Sequence, residues 1–164
     1  MILCSAKHFE LVKEKREQVF HFLTLNVYFP FCKAVYSGKG KALDLFALAN
    51  MPINTLGERT SCFLRQNKLE PMPGYEAHDM KHTLLGFPAN MKGEISMQYF
   101  EFGNGNRSIP VITVMLFGSF FMPEEWKEYL RQYRRGKGAS DLSKIDLKQF
   151  ATLPIHQLEK QWKL

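Results

Sequence analysis

Apolar positions recur at helical spacing along most of the chain. Phe9, Val12, Val19, Phe20 and Leu23 lie on one side of a 3.6-residue repeat with charges between them, which predicts an amphipathic helix from Phe9 to Leu25. Pro30 marks a break, and Ser37-Gly38-Lys39-Gly40 a turn. The Ala- and Leu-rich run from Lys41 to Ala49 predicts a short helix that Pro52 stops. Thr55 with Glu58 three residues later has capping-box spacing and opens a helix to about Gln66. Tyr75 to Leu85 reads as the next helix, closed by Gly86 and Pro88, and Asn90 caps another that runs to about Phe102.

Gly103-Asn104-Gly105-Asn106 is the most turn-like stretch, and a hairpin is the obvious reading of it. Its flanks, Ile95 to Phe102 and Ile109 to Met122, are too long and lack alternation. Ile109 to Met122 is therefore expected as a buried helix, although Val111, Ile112, Val114 and Phe117 are good strand formers. Pro123 opens a last long helix to about Arg135, which Gly136 and Gly138 end, and Pro154 to Trp162 closes the chain. The expected fold is a single all-α domain, 1–164, of about six to eight helices, with Phe63, Leu84, Phe100, Val114 and Phe117 in its core or lining a groove.

Composition narrows the class. A chain of 164 residues, 45% apolar and with 14 Phe, can bury one real core and is not disordered. Its longest apolar stretch, about 14 residues, falls short of the roughly 20 a spanning helix needs. Cys4, Cys32 and Cys62 are odd in number and match no metal knuckle, so they read as reduced thiols. The N-terminus has no signal-peptide core, and Glu10, Glu14 and Glu17 make it too acidic for a mitochondrial presequence. The expectation is a cytoplasmic protein of bacterial origin.

The 22 Lys plus Arg against 16 Asp plus Glu give a net charge of +6, which suits nucleic acid or an anionic membrane. No nucleic-acid module accompanies the charge, so no nucleic-acid partner is expected. The helix after Pro123 carries Trp126, Tyr129, Leu130 and Tyr133 on one stripe, with Lys127, Arg131, Arg134 and Arg135 beside or opposite it. Either that stripe packs on the core, or Trp126, Tyr129, Arg131, Arg134 and Arg135 rest on an anionic bilayer.

The chemistry lies between Tyr75 and Glu94. His78 and His82 are four apart and project from one helix face. Gly86 to Asn90 supplies a turn that brings a second helix back antiparallel, with Glu94 one turn into it. Two imidazoles and a carboxylate then surround one point, with Asp79 beside them. That set suits Zn²⁺, or Fe²⁺ in a two-His, one-carboxylate site. A zincin would need Glu where Asp79 stands. An HD phosphohydrolase would need further ligands, for which His8, His21, Asp141 and Asp146 are the only candidates.

His78-Asp79-x-x-His82, eleven residues, then Glu94 resembles the signature of the ubiquinone (coenzyme Q) biosynthesis protein 4 family. Leu56-Gly57-Glu58-Arg59 with Cys62-Phe63-Leu64 resembles the helix before that motif. Gly93-Glu94-Ile95 with Gln98-Tyr99-Phe100 is similar to the helix carrying its Glu, and Tyr133 to Ala139, Leu153-Pro154 and Leu158-Glu159-Lys160 resemble its C-terminal segments. The resemblance covers roughly Pro52 to the end.

It implies an all-helical fold and a Zn²⁺ site (Fe²⁺ as the alternative) with His78, Asp79, His82 and Glu94 as ligands, Asp79 either directly or as an acceptor behind an imidazole. It also implies a groove for a polyprenyl lipid or prenylated quinone precursor. The implied location is peripheral, on an anionic membrane face, here the inner face of a bacterial membrane. Other quinone-biosynthesis enzymes are implied partners, and a homodimer is left open. The implied role is quinone assembly, with decarboxylation and hydroxylation at C1 of the prenylated aromatic ring. Two alternatives stand beside it: a non-catalytic lipid-binding scaffold with a structural metal, and a metal-dependent hydrolase with Asp79 as base. A closed four-ligand shell favours the scaffold, and an open position favours catalysis.

Overall fold

The computed structural model describes residues 43–164 and, before them, residues 10–12, 14–16, 18–19, 22–23, 26 and 30. The described residues from 10 to 23 are helical, as the amphipathic pattern requires. Arg16 Nη2 pairs there with Glu124 Oε1 at 2.8 Å, which ties this stretch to the turn before the last long helix. The turn expected at 37–40, and Cys4 and Cys32, lie outside the described residues.

Local chemistry sets the helix ends. Asp44 accepts from the backbone N–H groups of Phe46 and Ala47, so helix α1 spans Leu45–Ala49 and starts later than the Ala/Leu composition suggested. Thr55 caps α2 (Leu56–Gln66) through the N–H of Glu58. The Glu58 carboxylate turns back one residue further than in a standard capping box and accepts from Asn54 N at 3.1 Å. Helix α3 (Glu76–Leu85) ends at Gly86, whose φ of 74° is the left-handed cap conformation that glycine adopts freely. Asn90 Oδ1 accepts from Gly93 N at 2.9 Å and starts α4 (Met91–Gly103). Helix α5 (Ile109–Phe121) follows the Gly/Asn turn, so the hairpin is excluded as expected. A 3-10 turn (Pro123–Glu125) leads into α6 (Trp126–Gly138), and α7 (Ile155–Trp162) closes the chain.

No strand occurs among the described residues, and the fold is all-α. The one extended contact among them is an isolated bridge between Thr55 and Pro154, which docks the segment before α7 on the start of α2.

Helix α4 is the axis of the molecule, buried on most sides. It meets α6 backbone to backbone. A methyl group on Gly136 would stand 2.1 Å from the Phe100 carbonyl oxygen, and one on Gly103 would stand 2.2 Å from that of Tyr133. This corrects the expected end of α6. Gly136 does not stop the helix but lies inside it, because only glycine lets the two backbones approach this closely. Tyr129 stacks on Tyr99 at 5.0 Å and 9° in the same seam.

Helix α5 packs on α4 through Val111 and Gly118, the latter against Ile95. Its secondary structure agrees with expectation, but its burial does not. Phe117, expected inside, is 63% exposed, with Ile109, Leu116 and Phe120 exposed beside it. An evenly apolar helix still has only one side that faces its neighbour. Leu84 and Phe100 are buried as expected, and Phe63 and Val114 partly so. Among the described residues no helix is long and apolar enough to cross a membrane.

Candidate metal centre

Helices α3 and α4 are joined by the turn at 86–90, and three side chains meet between them. His82 Nε2 lies 3.0 Å from one Glu94 carboxylate oxygen, and His78 Nε2 lies 3.4 Å from the other. The two Nε2 atoms are 3.1 Å apart. These donor atoms all fall within 4.8 Å of one another, and they form the one such three-residue cluster among the described residues.

The His82 imidazole is oriented from behind. His82 Nδ1–H donates to the Phe87 carbonyl at 3.1 Å, which in the neutral ring leaves the Nε2 lone pair directed at the cluster. Phe63 stacks on His82 at 5.3 Å and 18°, and Tyr75 lies against His78 at 4.4 Å. The sequence pattern did not single out these neighbours. Tyr75, three residues before His78, was visible in the helical spacing, whereas the Phe87 carbonyl could not be seen in any side-chain pattern.

The electrostatics of the three groups are coupled. Burial works against the charge on Glu94, but the charge of His78 and the hydrogen bonds from both imidazoles outweigh it and hold the carboxyl well below the usual range. Burial also works against a charged His82, yet its hydrogen bond to Glu94, the charge of Glu94 and the Phe87 carbonyl leave its pKa above the ordinary value.

The spacings fit a metal ion. Tetrahedral bonds of about 2.0–2.1 Å give ligand–ligand edges of about 3.3 Å. The closest approaches here, 3.0, 3.1 and 3.4 Å, lie near those edges, although the two to Glu94 fall on different carboxylate oxygens, and with one oxygen the three donors lie within 4.8 Å of one another.

A family model described as "Coenzyme Q (ubiquinone) biosynthesis protein Coq4" matches residues 72–164, more than half of the chain. The chain belongs to the Coq4 family. Its matched region contains all three converging donors. Among curated Coq4 proteins, the mitochondrial ubiquinone biosynthesis protein COQ4 homolog of Danio rerio is 36% identical over 36% of this chain and 28% of its own length. That of Drosophila virilis is 29% identical over 72% of this chain and 53% of its own. The chain thus spans about half or less of the length of the curated relatives it matches. A crystal structure from Nostoc punctiforme, provisionally described as a ubiquinone biosynthesis protein, superposes with a TM-score of 0.60 at 21% identity, over 93% of this chain and 79% of that one. That likeness concerns the fold.

In this Coq4-family chain Asp79, which the sequence left open as a direct ligand or an acceptor behind an imidazole, is buried beside the cluster, and its carboxylate is not among the converging donors. One residue after His78 it is turned about 100° around the helix from the His78–His82 face. Burial pushes its carboxyl up to about 6, against the opposing pull of the two histidines.

The expected membrane residues also separate. Tyr129 is fully buried, and Arg135 is half-buried with Nη1 bonded to the Leu85 carbonyl, so neither can rest on a bilayer. Trp126, Arg131 and Arg134 remain at least partly exposed. The aromatic stripe of α6 was the face that packs on α4.

Proposed function

We propose that this Coq4-family chain binds one divalent metal ion through His78, His82 and Glu94 and holds a prenylated aromatic acid there, at a membrane face, for a step of quinone assembly. The observation that carries the reading is the convergence of two Nε2 atoms and one carboxylate within 4.8 Å. Family membership supplies the quinone context.

Three protein donors leave room for a fourth ligand in a tetrahedral shell, which favours a working site over a sealed structural one. Bound there, Zn²⁺ or Fe²⁺ would act as a Lewis acid toward a carboxylate or phenolate oxygen and stabilise the charge left as CO₂ departs, and only Fe²⁺ would also supply the redox chemistry of a hydroxylation. Within this scheme the chain's own side chains have separate tasks. His78, His82 and Glu94 hold the ion, the Phe87 carbonyl fixes the His82 tautomer, and Phe63 and Tyr75 shield the imidazoles from water.

The exposed apolar residues of α5 support the lipid part of the reading. Gly118 of α5 packs on Ile95, the residue next to Glu94, while Leu116, Phe117 and Phe120 face outward from the same helix. A polyprenyl tail leaving the metal site along α5 would reach that surface, and the basic residues Arg131 and Arg134 suit an anionic headgroup layer. Native mass spectrometry of the purified protein tests both parts together. The expected spectrum shows one metal ion per chain and a co-purifying lipid mass. A metal-free, lipid-free spectrum after purification without chelator and detergent, unchanged on adding Zn²⁺ or Fe²⁺, would oppose it.

A further inference from the structure

Arg135 lies fifty residues beyond the end of α3 in the chain, yet its Nη1 donates to the Leu85 carbonyl at 3.0 Å. Leu85 is the last residue of α3, and its carbonyl is one of those a helix leaves without an intrahelical partner. The same guanidinium stands over two rings, 5.7 Å from the centroid of Phe87 and 5.4 Å from that of Phe100. It therefore holds both sides of Gly86, the left-handed residue that turns the chain out of α3.

Phe87, the next residue, connects this turn to the site. Its N–H donates to the His82 carbonyl at 3.0 Å, and its carbonyl accepts from His82 Nδ1 at 3.1 Å. Phe87 thus grips the backbone and the ring of the same histidine. Arg135 is itself held in place. Gln132 Oε1 accepts from its Nη1 at 3.4 Å, and Gln132 Nε2 donates to Glu128 at 2.7 Å. The close α4–α6 approach at Gly136 and the Phe100 carbonyl brings the base of Arg135 near enough to reach the turn.

We infer that Arg135 is a positioning residue for the His78–His82–Glu94 site, fixing the 85–87 turn so that the Phe87 carbonyl holds His82 in the Nδ1–H form with Nε2 toward Glu94. The inference rests on reading those three residues as metal donors. It replaces the surface role that the sequence suggested for Arg135 with one inside the molecule.

The test uses the metal-free chain with ¹⁵N-labelled histidine at a pH high enough for the His82 ring to be neutral, where long-range ¹H–¹⁵N NMR reports which nitrogen of His82 carries the proton. Wild type is expected to show Nδ1–H. R135M is expected to show a mixture with Nε2–H and to bind Zn²⁺ about tenfold more weakly, the usual effect of losing an outer partner of a ligand histidine. R135K, which keeps a cationic donor, is expected to recover most of both, and K144M, at an exposed lysine outside the site, to change neither. The tautomer decides: a His82 that stays Nδ1–H in R135M overturns the inference. If R135M does not fold, R135Q takes its place with the same two outcomes. Should wild type bind no Zn²⁺, the metal reading fails by itself, while the tautomer still tests Arg135.

Discussion

Phe63 and His82 lie ring on ring, 5.3 Å between centroids and 18° between planes. With the Phe87 carbonyl on Nδ1 and Glu94 on Nε2, the stacking leaves the imidazole little freedom to rotate. Phe63→Ala should therefore loosen the ring without removing any donor. Zn²⁺ affinity is expected to fall several-fold, clearly less than on deleting His82, and Phe63→Leu should recover part of the loss. Isothermal titration of the purified variants measures this, and an unchanged affinity in Phe63→Ala would show that Glu94 and Phe87 hold His82 unaided.

Direct donors should behave differently from their neighbour Asp79. His78→Ala, His82→Ala and Glu94→Ala each remove one of three converging atoms and should abolish stoichiometric metal, read by elemental analysis after gel filtration. Asp79→Asn removes no converging atom and should leave most of it. It also removes the need to keep a buried carboxyl whose pKa has been pushed to about 6, so it should not destabilise the chain at neutral pH. Loss of metal in Asp79→Asn equal to that in His82→Ala would restore Asp79 to the ligand set.

Protons and metal compete for the same atoms, which sets a pH dependence. The carboxyl of Glu94 is depressed, so its contribution to stability is present above the ordinary value of 4.5 and is lost as pH falls through its folded value. The His82 pKa is raised, so its contribution is present below 6.5 and is lost as pH rises through its folded value. Asp79 is raised too, so its contribution is present below 3.8 and is gone above about 6. Metal-free protein should accordingly be most stable in mildly acidic solution and lose stability toward pH 8. Metal binding needs neutral imidazoles, so the rise in Tm on adding Zn²⁺ should grow over the same range. Thermal melts with and without Zn²⁺ at several pH values check this, and a Tm shift that is constant from pH 5.5 to 8 would contradict it.

The convergence of His78, His82 and Glu94 was legible because its geometry is local. His78 and His82 share a helix face by spacing alone, and the Gly86–Asn90 turn fixes where Glu94 returns. The caps at Thr55, Gly86 and Asn90 were legible for the same reason, since each acts within a few residues. Long-range placement was not. Nothing in the pattern of α5 says which side faces α4, because every side is apolar. Nothing in the stripe of α6 says whether Tyr129 meets lipid or Tyr99. Gly136 read as a helix stop because its need for a close approach to Phe100 appears only once the two helices are packed.

That close approach makes the glycines of α5 and α6 unequal. An added methyl on Gly136 meets a backbone oxygen at 2.1 Å, which can yield only if α4 and α6 separate. Gly136→Ala should cost about 1–3 kcal/mol or more, the range for overpacking a tight contact. At Gly118 the obstacle is the buried Ile95 side chain, whose two γ branches stand 2.3 and 3.1 Å away and cannot both be rotated clear, so Gly118→Ala should also destabilise the chain. Gly138 has open space where the methyl would go, and its change to Ala should be neutral or stabilise by up to about 1 kcal/mol. Urea unfolding of the three variants gives the order directly, and a Gly138→Ala chain less stable than Gly136→Ala would refute the packing account.

The outward face of α5 sets the last expectation. Leu116, Phe117 and Phe120 are exposed at 69%, 63% and 80%, a cluster of large apolar groups that water alone does not favour. Because they contribute little to the core, replacing all three with Gln should leave Tm nearly unchanged. If this face meets a bilayer, the same change should remove most binding to lipid vesicles, since each buried side chain of this size contributes about 1.5–3 kcal/mol. Arg131→Gln with Arg134→Gln should act differently. Each exposed basic group adds roughly 1 kcal/mol near an anionic surface, so the pair should weaken binding to anionic vesicles only, and salt should mimic the effect. Flotation assays on neutral and anionic vesicles separate the two contributions. Vesicle binding that survives the α5 triple change would move the lipid contact off α5. A lower Tm in that variant, with no change in vesicle binding, would mean that α5 is covered by protein in solution.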